Sequence, residues 1–316
     1  MKQKIFLWVE DYLFFPNIFQ QFISFLFLPF TFIYMLIIAL KRANAKVVDF
    51  GLPIISIGNI IVGGSGKTPL TIYLARRYSN VCVILRGFGR DSKGLYVVSN
   101  KGKILEDVKV SGDEAMLLSN SLPNATIIVS EDRKKAILKA KELGSQIIFL
   151  DDGFSKYDIR KFDILIRPNK EPSNLFCLPS GGYREPKMAY SYADLVLKEG
   201  KDFKRIVSFS KDGKYIDILP SKLLLLTAIS KPKRLLTFLP ENIKMEAFED
   251  HHTFSKDDIN RIKAYYKDYS IITTEKDYVK LQKFDLKDVY LMNLELQIED
   301  ENKIIKIDDY IKNYDL

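Results

Sequence analysis

An apolar stretch, LPIISIGN (residues 52–59), runs into GGSGKTPL (residues 63–70), and TPLTIYLARRY continues with helical spacing. Strand, glycine loop and helix in that order leave few folds open. The loop closely follows G-x-x-x-x-G-K-[ST], in which backbone N–H groups and a helix N-terminus face phosphates. Its last three positions are Gly66, Lys67 and Thr68, while Ile61 stands where the first glycine belongs. Gly63 and Gly64 keep the backbone permissive. The expected nucleotide cradle is therefore Ile61, Val62, Gly63, Gly64, Ser65, Gly66, Lys67 and Thr68. Lys67 is expected to reach the terminal phosphates of ATP, and the Thr68 hydroxyl to ligate Mg²⁺. Pro69 suits a first helical turn, where its missing N–H costs nothing.

Beyond the loop, strand-like runs (VCVIL, ATIIVS, SQIIFLDD, FDILIR, ADLVLKE) alternate with helix-like ones (GDEAMLLSNSL, EDRKKAILKAKELG). That alternation predicts a parallel sheet covered on both faces, with ligands beyond the carboxyl ends of the strands. IIFLDDGF places Asp151 and Asp152 at such an end, where enzymes of this type hold the Mg²⁺ shell. SGDEAM supplies two more acids. Ser111 and Glu114 match a capping box, which explains Glu114 but leaves Asp113 to point across the site as a general base. Arg86, Arg90, Arg133 and Arg184 follow strands or sit in loops, and arginine suits bidentate phosphate binding. The two histidines, His251 and His252, are adjacent in FEDHHTFSKDD. Neighbours on extended chain face opposite ways, so they form a poor metal pair; one of them, oriented by an acid, suits proton removal from a hydroxyl.

A hairpin around Asp212-Gly213 is taken as the junction to a smaller α/β domain. The expected organisation is a membrane-anchoring segment over 1–46, a nucleotide-binding domain over 47–202, a β-hairpin linker over 203–222 and a C-terminal α/β domain over 223–316. From Tyr12 to Leu40 no residue is charged. Its densest part, residues 22–40, meets the length of about 20 residues a helix needs to cross hydrocarbon. Pro29 interrupts it, so spanning and lying in the interface both stay open. Lys41, Arg42 and Lys46 follow, which puts the succeeding domain on the cytoplasmic side and offers charges to anionic headgroups.

The net charge of +8 favours anionic partners, yet the lysines are spread along the chain and form no basic tail. No nucleic-acid-binding module is recognisable, and a nucleic-acid ATPase is not expected. The two cysteines, Cys82 and Cys177, lack metal-type spacing and fit a reducing compartment. A membrane-tethered nucleotide switch is the competing reading. TTEKDYV, however, has Lys276 and Asp277 adjacent, without the intervening residue of the [NT]-K-x-D guanine reader.

SIGNIIVGGSGKTPL, LRGFGR, SGDEAMLL, SEDR, IIFLDDGF, LPSGGYREP, FEDHHTFS and TTEKDYVKL, in this order, closely resemble the tetraacyldisaccharide 4'-kinases. The resemblance implies ATP-dependent phosphorylation of the 4'-hydroxyl of a tetraacylated glucosamine disaccharide 1-phosphate, giving lipid IVA at the cytoplasmic face of the inner membrane. It implies two α/β/α sandwich domains, the first P-loop kinase-like, behind an N-terminal membrane helix, with the active site between them. A monomer is expected. By the same resemblance Asp113 is the catalytic base and His251 its tuning partner. Lys67 and Thr68 handle nucleotide and Mg²⁺, Asp151, Asp152 and Glu114 lie near the metal, and Arg133 and Arg184 handle phosphate. Ile61 is ordinary within that family. DDGFSK replaces the usual DDGFQH and RGF the usual RGY, departures that bear on substrate contacts.

Overall fold

In the computed structural model the described residues are 2–64, 66–229, 232–250 and 252–314, with side chains described from residue 8 onward. The chain opens with three helices: α1 (Lys2–Phe14), α2 (Ile18–Leu26) and α3 (Leu28–Ala43). Asn17 caps α2 through a reciprocal pair with Gln20 at 2.9 and 3.0 Å. Pro29 sits in the first turn of α3. It therefore starts a new helix instead of kinking a continuous one. No single described helix is long and apolar enough to cross a membrane; α2 and α3, bent by 57°, pass the test of length and composition only as a pair. The one membrane helix expected from the sequence is thus a broken pair.

The first domain is built on β1 (Ile54–Gly58), β2 (Val81–Leu85), β3 (Tyr96–Asn100), β4 (Lys103–Ile104), β5 (Thr126–Val129), β6 (Ile147–Asp151), β7 (Phe162–Arg167) and β8 (Leu195–Lys198). Their order is β4-β3-β5-β2-β6-β1-β7-β8, with only β3 running against the others. Fully buried runs such as VCVIL and IIFLD are what a sheet covered on both faces requires. Strand alternation sorts the core into two layers. Ile55, Ile57, Val83 and Phe149 meet Leu70 and Leu74 of α4 (Lys67–Ala75), and Leu118 of α6 (Asp113–Ser121), which follows the one-turn α5 (Val108–Ser111). Ile54, Cys82, Ile84 and Ile148 meet Ala136, Ile137 and Ala140 of α7 (Arg133–Glu142) on the other face.

The second sheet holds β9 (Phe203–Lys211), β10 (Lys214–Ile216), β11 (Leu223–Thr227), β12 (Lys244–Ala247), β13 (Ser270–Thr274) and β14 (Val289–Ile298), in the order β10-β9-β14-β13-β11-β12. Helix α8 (Lys256–Tyr265) and Leu281 of α9 (Glu275–Leu281) cover one face. The 3-10 turn Pro232–Phe238 contributes Leu235 to the other. The hairpin expected as a linker is an integral part of this sheet, because β9 pairs along its length with β14. That ribbon spans both cores: Phe203 and Leu296 lie in the first, Phe209 and Met292 in the second. The C-terminal helix α10 (Glu301–Lys312) leaves the second domain and buries Ile304 and Ile307 in the first domain's core.

Candidate active site

A cavity of about 470 Å³ opens between the domains. The first domain lines it with Gly63, Gly64, Gly66, Lys67, Thr68, Asp151, Asp152 and Arg184; the second adds Arg205, Arg234, Asp250 and Lys276. Gly66 is the N-cap of α4 at φ +86°, a conformation that disfavours a side chain. A Cβ there would also lie 3.1 Å from the Arg205 guanidinium. Ile61 and Val62 behave differently. Ile61 bridges Tyr183 in antiparallel fashion and is buried with Phe14 and Tyr183, while the Val62 N–H donates to the Gly182 carbonyl at 2.9 Å. The residue in place of the first glycine thus anchors the front of the loop in an apolar cluster. Ser65 lies outside the described residues.

Lys67 Nζ donates to Asn59 Oδ1 at 3.3 Å and stands 3.9 Å from Asp152. Asn59, just beyond β1, is buried and also receives the Arg184 guanidinium on its backbone carbonyl at 2.8 Å. Its place after a strand at the loop's mouth was the available signal, and sequence reasoning passed over it. Arg184 forks onto Asp152 at 2.8 and 3.0 Å. Burial pushes Asp152 up, but the Arg184 fork and Lys67 outweigh it and hold the carboxyl down at about 2. Asp151 has the opposite environment. Burial, then Glu114, push it up to about 7 against Lys67, although Thr68 Oγ1 donates to its Oδ2 at 3.2 Å. Its other oxygen is buried with no hydrogen-bond partner among the described residues.

Asp113 is buried in the first turn of α6. The capping box expected from Ser111 and Glu114 does not form. Ser111 Oγ instead closes the preceding turn onto the Asp107 carbonyl at 2.6 Å, and Gly112, at φ +83°, is the N-cap. Glu114 is released to meet Lys276 at 3.2 Å. Lys276 also stands 4.0 Å from Asp113 and 3.7 Å from Asp250; Lys280 stands 3.4 Å from Asp113 and 2.9 Å from Asp277. Burial lowers the Lys276 pKa, but Glu114, Asp113 and Asp250 together raise it above the usual value. Both lysines sit one turn apart on α9, in TTEKDYVKL, a stretch that carries the family resemblance but to whose lysines no role was given. Asp277, fully buried, fixes this helix by accepting from Thr227 Oγ1, Thr274 Oγ1 and the Ala228 N–H at 2.7, 2.9 and 3.0 Å.

Arg133 is not brought to the cavity. Its guanidinium is buried behind the strand end, on the carbonyls of Ser130 and Asp151. Arg90 pairs with Glu131 at 2.7 Å, away from the lining, whereas Arg86 and Phe88 do line it. His251 lies outside the described residues. Its neighbour Asp250 reaches the lining, and His252 pairs with Asp258 at 3.1 Å and stacks on Phe248. Among the described residues no group of three or more His, Cys, Asp or Glu is arranged to hold a metal ion alone.

A glycine loop between β1 and α4, with a carboxylate at the end of the adjacent strand facing the loop's threonine, defines a P-loop nucleotide-binding protein. The comparisons take this further. A family model described as tetraacyldisaccharide-1-P 4'-kinase matches residues 23–312. A tetraacyldisaccharide 4'-kinase of Aliarcobacter butzleri is 64% identical over 99% of this chain and 100% of its own. One of Helicobacter pylori is 46% identical over 97% of this chain and 95% of its own. The crystal structure of an LpxK from Aquifex aeolicus in complex with ATP superposes with a TM-score of 0.74 at 27% identity, covering 92% of this chain and 99% of that one. The chain belongs to the tetraacyldisaccharide 4'-kinase family.

Proposed function

We propose that this chain transfers the γ-phosphoryl group of ATP to the 4'-hydroxyl of a tetraacylated glucosamine disaccharide 1-phosphate, giving lipid IVA in lipid A synthesis. The observation that carries the reading is the cleft itself. Gly66, Lys67 and Thr68 face Asp151 and Asp152 across it, and the second domain closes it with Arg205, Arg234 and Lys276. These cations suit a triphosphate and the charge that develops on the equatorial oxygens during transfer. Lys67 is the phosphate-contacting cation. Asp113, 3.4 Å from Lys280 and 4.0 Å from Lys276, accepts the proton of the attacking hydroxyl. His251 is proposed as its partner on the strength of the family resemblance. The lining hydrophobes Ile72, Leu117, Val207, Leu235 and Phe238 suit the non-phosphate parts of the ligands.

Mg²⁺ fits the residues present. Thr68 Oγ1 and the unpartnered Oδ1 of Asp151 supply hard oxygen donors beside the loop, and Asp152 and Glu114 lie near them. A cation bound by one or two such groups and by phosphate oxygens is the usual arrangement for Mg²⁺. When bound, it supplies charge neutralisation between the phosphates.

The N-terminal helices support a seat on the inner membrane, with both domains on its cytoplasmic side. Ile18, Phe19, Phe22, Phe25, Phe30 and Phe32 are exposed while Gln20, Ser24 and Thr31 are buried, an inversion of the soluble pattern. Lys41 and Lys46 are exposed beside this face, but Arg42 is committed to Glu185 at 2.7 Å and is withdrawn from headgroups. One chain supplies both walls of the cleft, which supports a monomeric enzyme. The test is purified protein in detergent with radiolabelled ATP and the lipid disaccharide monophosphate. The expected product is the bisphosphate; nucleotide binding with no labelled lipid would sink the proposal.

A further inference from the structure

Besides its apolar contacts, helix α3 reaches the globular body through side-chain hydrogen bonds from Thr31, Tyr34 and Arg42, and each of these lands on the same loop, residues 177–185. Thr31 Oγ1 donates to Ser180 Oγ at 2.7 Å and lies 3.2 Å from the Cys177 carbonyl. The Tyr34 hydroxyl donates to the Arg184 carbonyl at 2.9 Å. Arg42, at the far end of the helix, meets the Glu185 carboxylate at 2.7 Å. Its guanidinium also lies over the rings of Tyr157 and Tyr192, at 4.3 and 4.4 Å, and the Tyr157 hydroxyl donates to the other Glu185 oxygen at 2.7 Å. Such an Arg, stacked and ion-paired, is held in one geometry. Two consecutive residues, Arg184 and Glu185, are therefore fixed by one helix at points two turns apart.

The same loop reaches the cleft from its other side. The Arg184 N–H donates to the Ile60 carbonyl at 2.7 Å, and Tyr183 bridges Ile61. The Arg184 side chain forks onto Asp152 and onto Asn59, whose amide oxygen receives Lys67. A continuous run of hydrogen bonds thus joins α3 to the groups around Lys67. We infer that Tyr34 and Arg42 are positioning residues for phosphoryl transfer: by clamping Arg184 and Glu185 they set the Arg184 fork on Asp152 and Asn59, so that the apolar N-terminal helices govern turnover as well as attachment. The inference rests on the proposed kinase reading and on Arg184 acting at the site. Small misplacements of such groups cost rate out of proportion to their size.

The test uses the full chain in mixed detergent micelles with saturating lipid acceptor. For the double variant Tyr34→Phe/Arg42→Met, kcat is expected to fall about 10-fold or more, with KM for the lipid changed less than about threefold. Arg42→Lys in the Tyr34 background should recover part of the loss, since an ammonium still pairs with Glu185. Phe32→Ser on the exposed face should weaken vesicle binding while leaving kcat in micelles unchanged. A double variant with normal kcat and a raised lipid KM would overturn the inference, because α3 would then act in attachment alone. Arg184→Ala separates the two levels. If it lowers kcat while the double variant does not, only the clamp fails. If it leaves kcat intact although labelled lipid is still formed, Arg184 has no role at the site and the inference falls with it while the kinase reading stands.

Discussion

In the first domain the cleft is lined mainly by residues of one loop, Gly63, Gly64, Gly66, Lys67 and Thr68, with Asp151 and Asp152 at a strand end and Glu114 and Arg184 beside them; in the second domain it is lined by Arg205, Arg234, Asp250 and Lys276, from four separate segments. The first set is held by the fully buried strands β1 and β6, whose register puts Ile57 opposite Asp151. The second set reaches the first only across the gap: Arg234 donates to the Gly64 carbonyl at 2.9 Å and Lys276 to Glu114 at 3.2 Å. The first domain therefore carries a built phosphate site, and the second completes it by approach, an arrangement suited to closure on the substrate.

The comparison breaks most sharply at Lys67 and Asp113. Lys67→Ala or Asp113→Ala is expected to lower turnover by about 10²- to 10⁴-fold, the range for losing a charge stabiliser or a general base. Circular dichroism and thermal melts should remain near those of the parent protein. Near-normal turnover in Asp113→Ala would remove it as the base. A smaller effect is expected for Lys276→Met, up to about 10²-fold in kcat, because this cation organises Asp113, Glu114 and Asp250 from the opposite wall. Loss confined to KM for ATP would instead make Lys276 a nucleotide-binding group. For Arg234→Ala the expected loss is in ATP affinity, about 10-fold by calorimetry. That is about 1.4 kcal/mol, close to the low end of the range for a hydrogen bond to a charged group. Unchanged affinity would mean that the Arg234 contact with the loop merely joins the domains.

How much of this was legible in the sequence follows the same divide. The glycine loop, the Asp-Asp strand end and the two-faced sheet announce themselves because each is a local pattern of short period. An equally local pattern does form a cap in α8, where Ser255 and Asp258 pair reciprocally. The reading of Ser111 with Glu114 failed because Gly112, with its positive φ, separates Ser111 from α6, and local spacing does not reveal that break. Arg234 carries no signal of its own, and Lys276 and Lys280 stand out only as part of the TTEKDYVKL stretch: a lysine on a short helix is usually solvated, and only tertiary placement puts α9 against α6. Arg133 shows the reverse, a conspicuous arginine that the fold spends on backbone carbonyls. The N-terminal segment was legible as apolar and Pro29 marked its interruption, but its buried polar face depends on the loop it packs against.

The smallest expected effect sharpens the contrast between the two acids at the end of β6. Asp152 is held low by Arg184 and Lys67, whereas Asp151 is pushed up to about 7 by burial and Glu114. A carboxyl whose folded pKa lies above its unfolded value of about 3.9 binds more protons when folded. Ionising Asp151 therefore costs stability, and that cost grows as pH rises from about 4 toward 7 and is fully present above it. Asp151→Asn should raise the melting temperature of the ligand-free protein at pH 8 by a few degrees, since about 1 kcal/mol moves a chain of 150–250 residues by roughly 2–4 °C. The gain should shrink steadily as the pH is lowered toward 4. Thermal melts of the two proteins across that range measure it. A gain that is constant with pH would show that Asp151 stays ionised throughout and that Lys67 and Thr68 outweigh its burial.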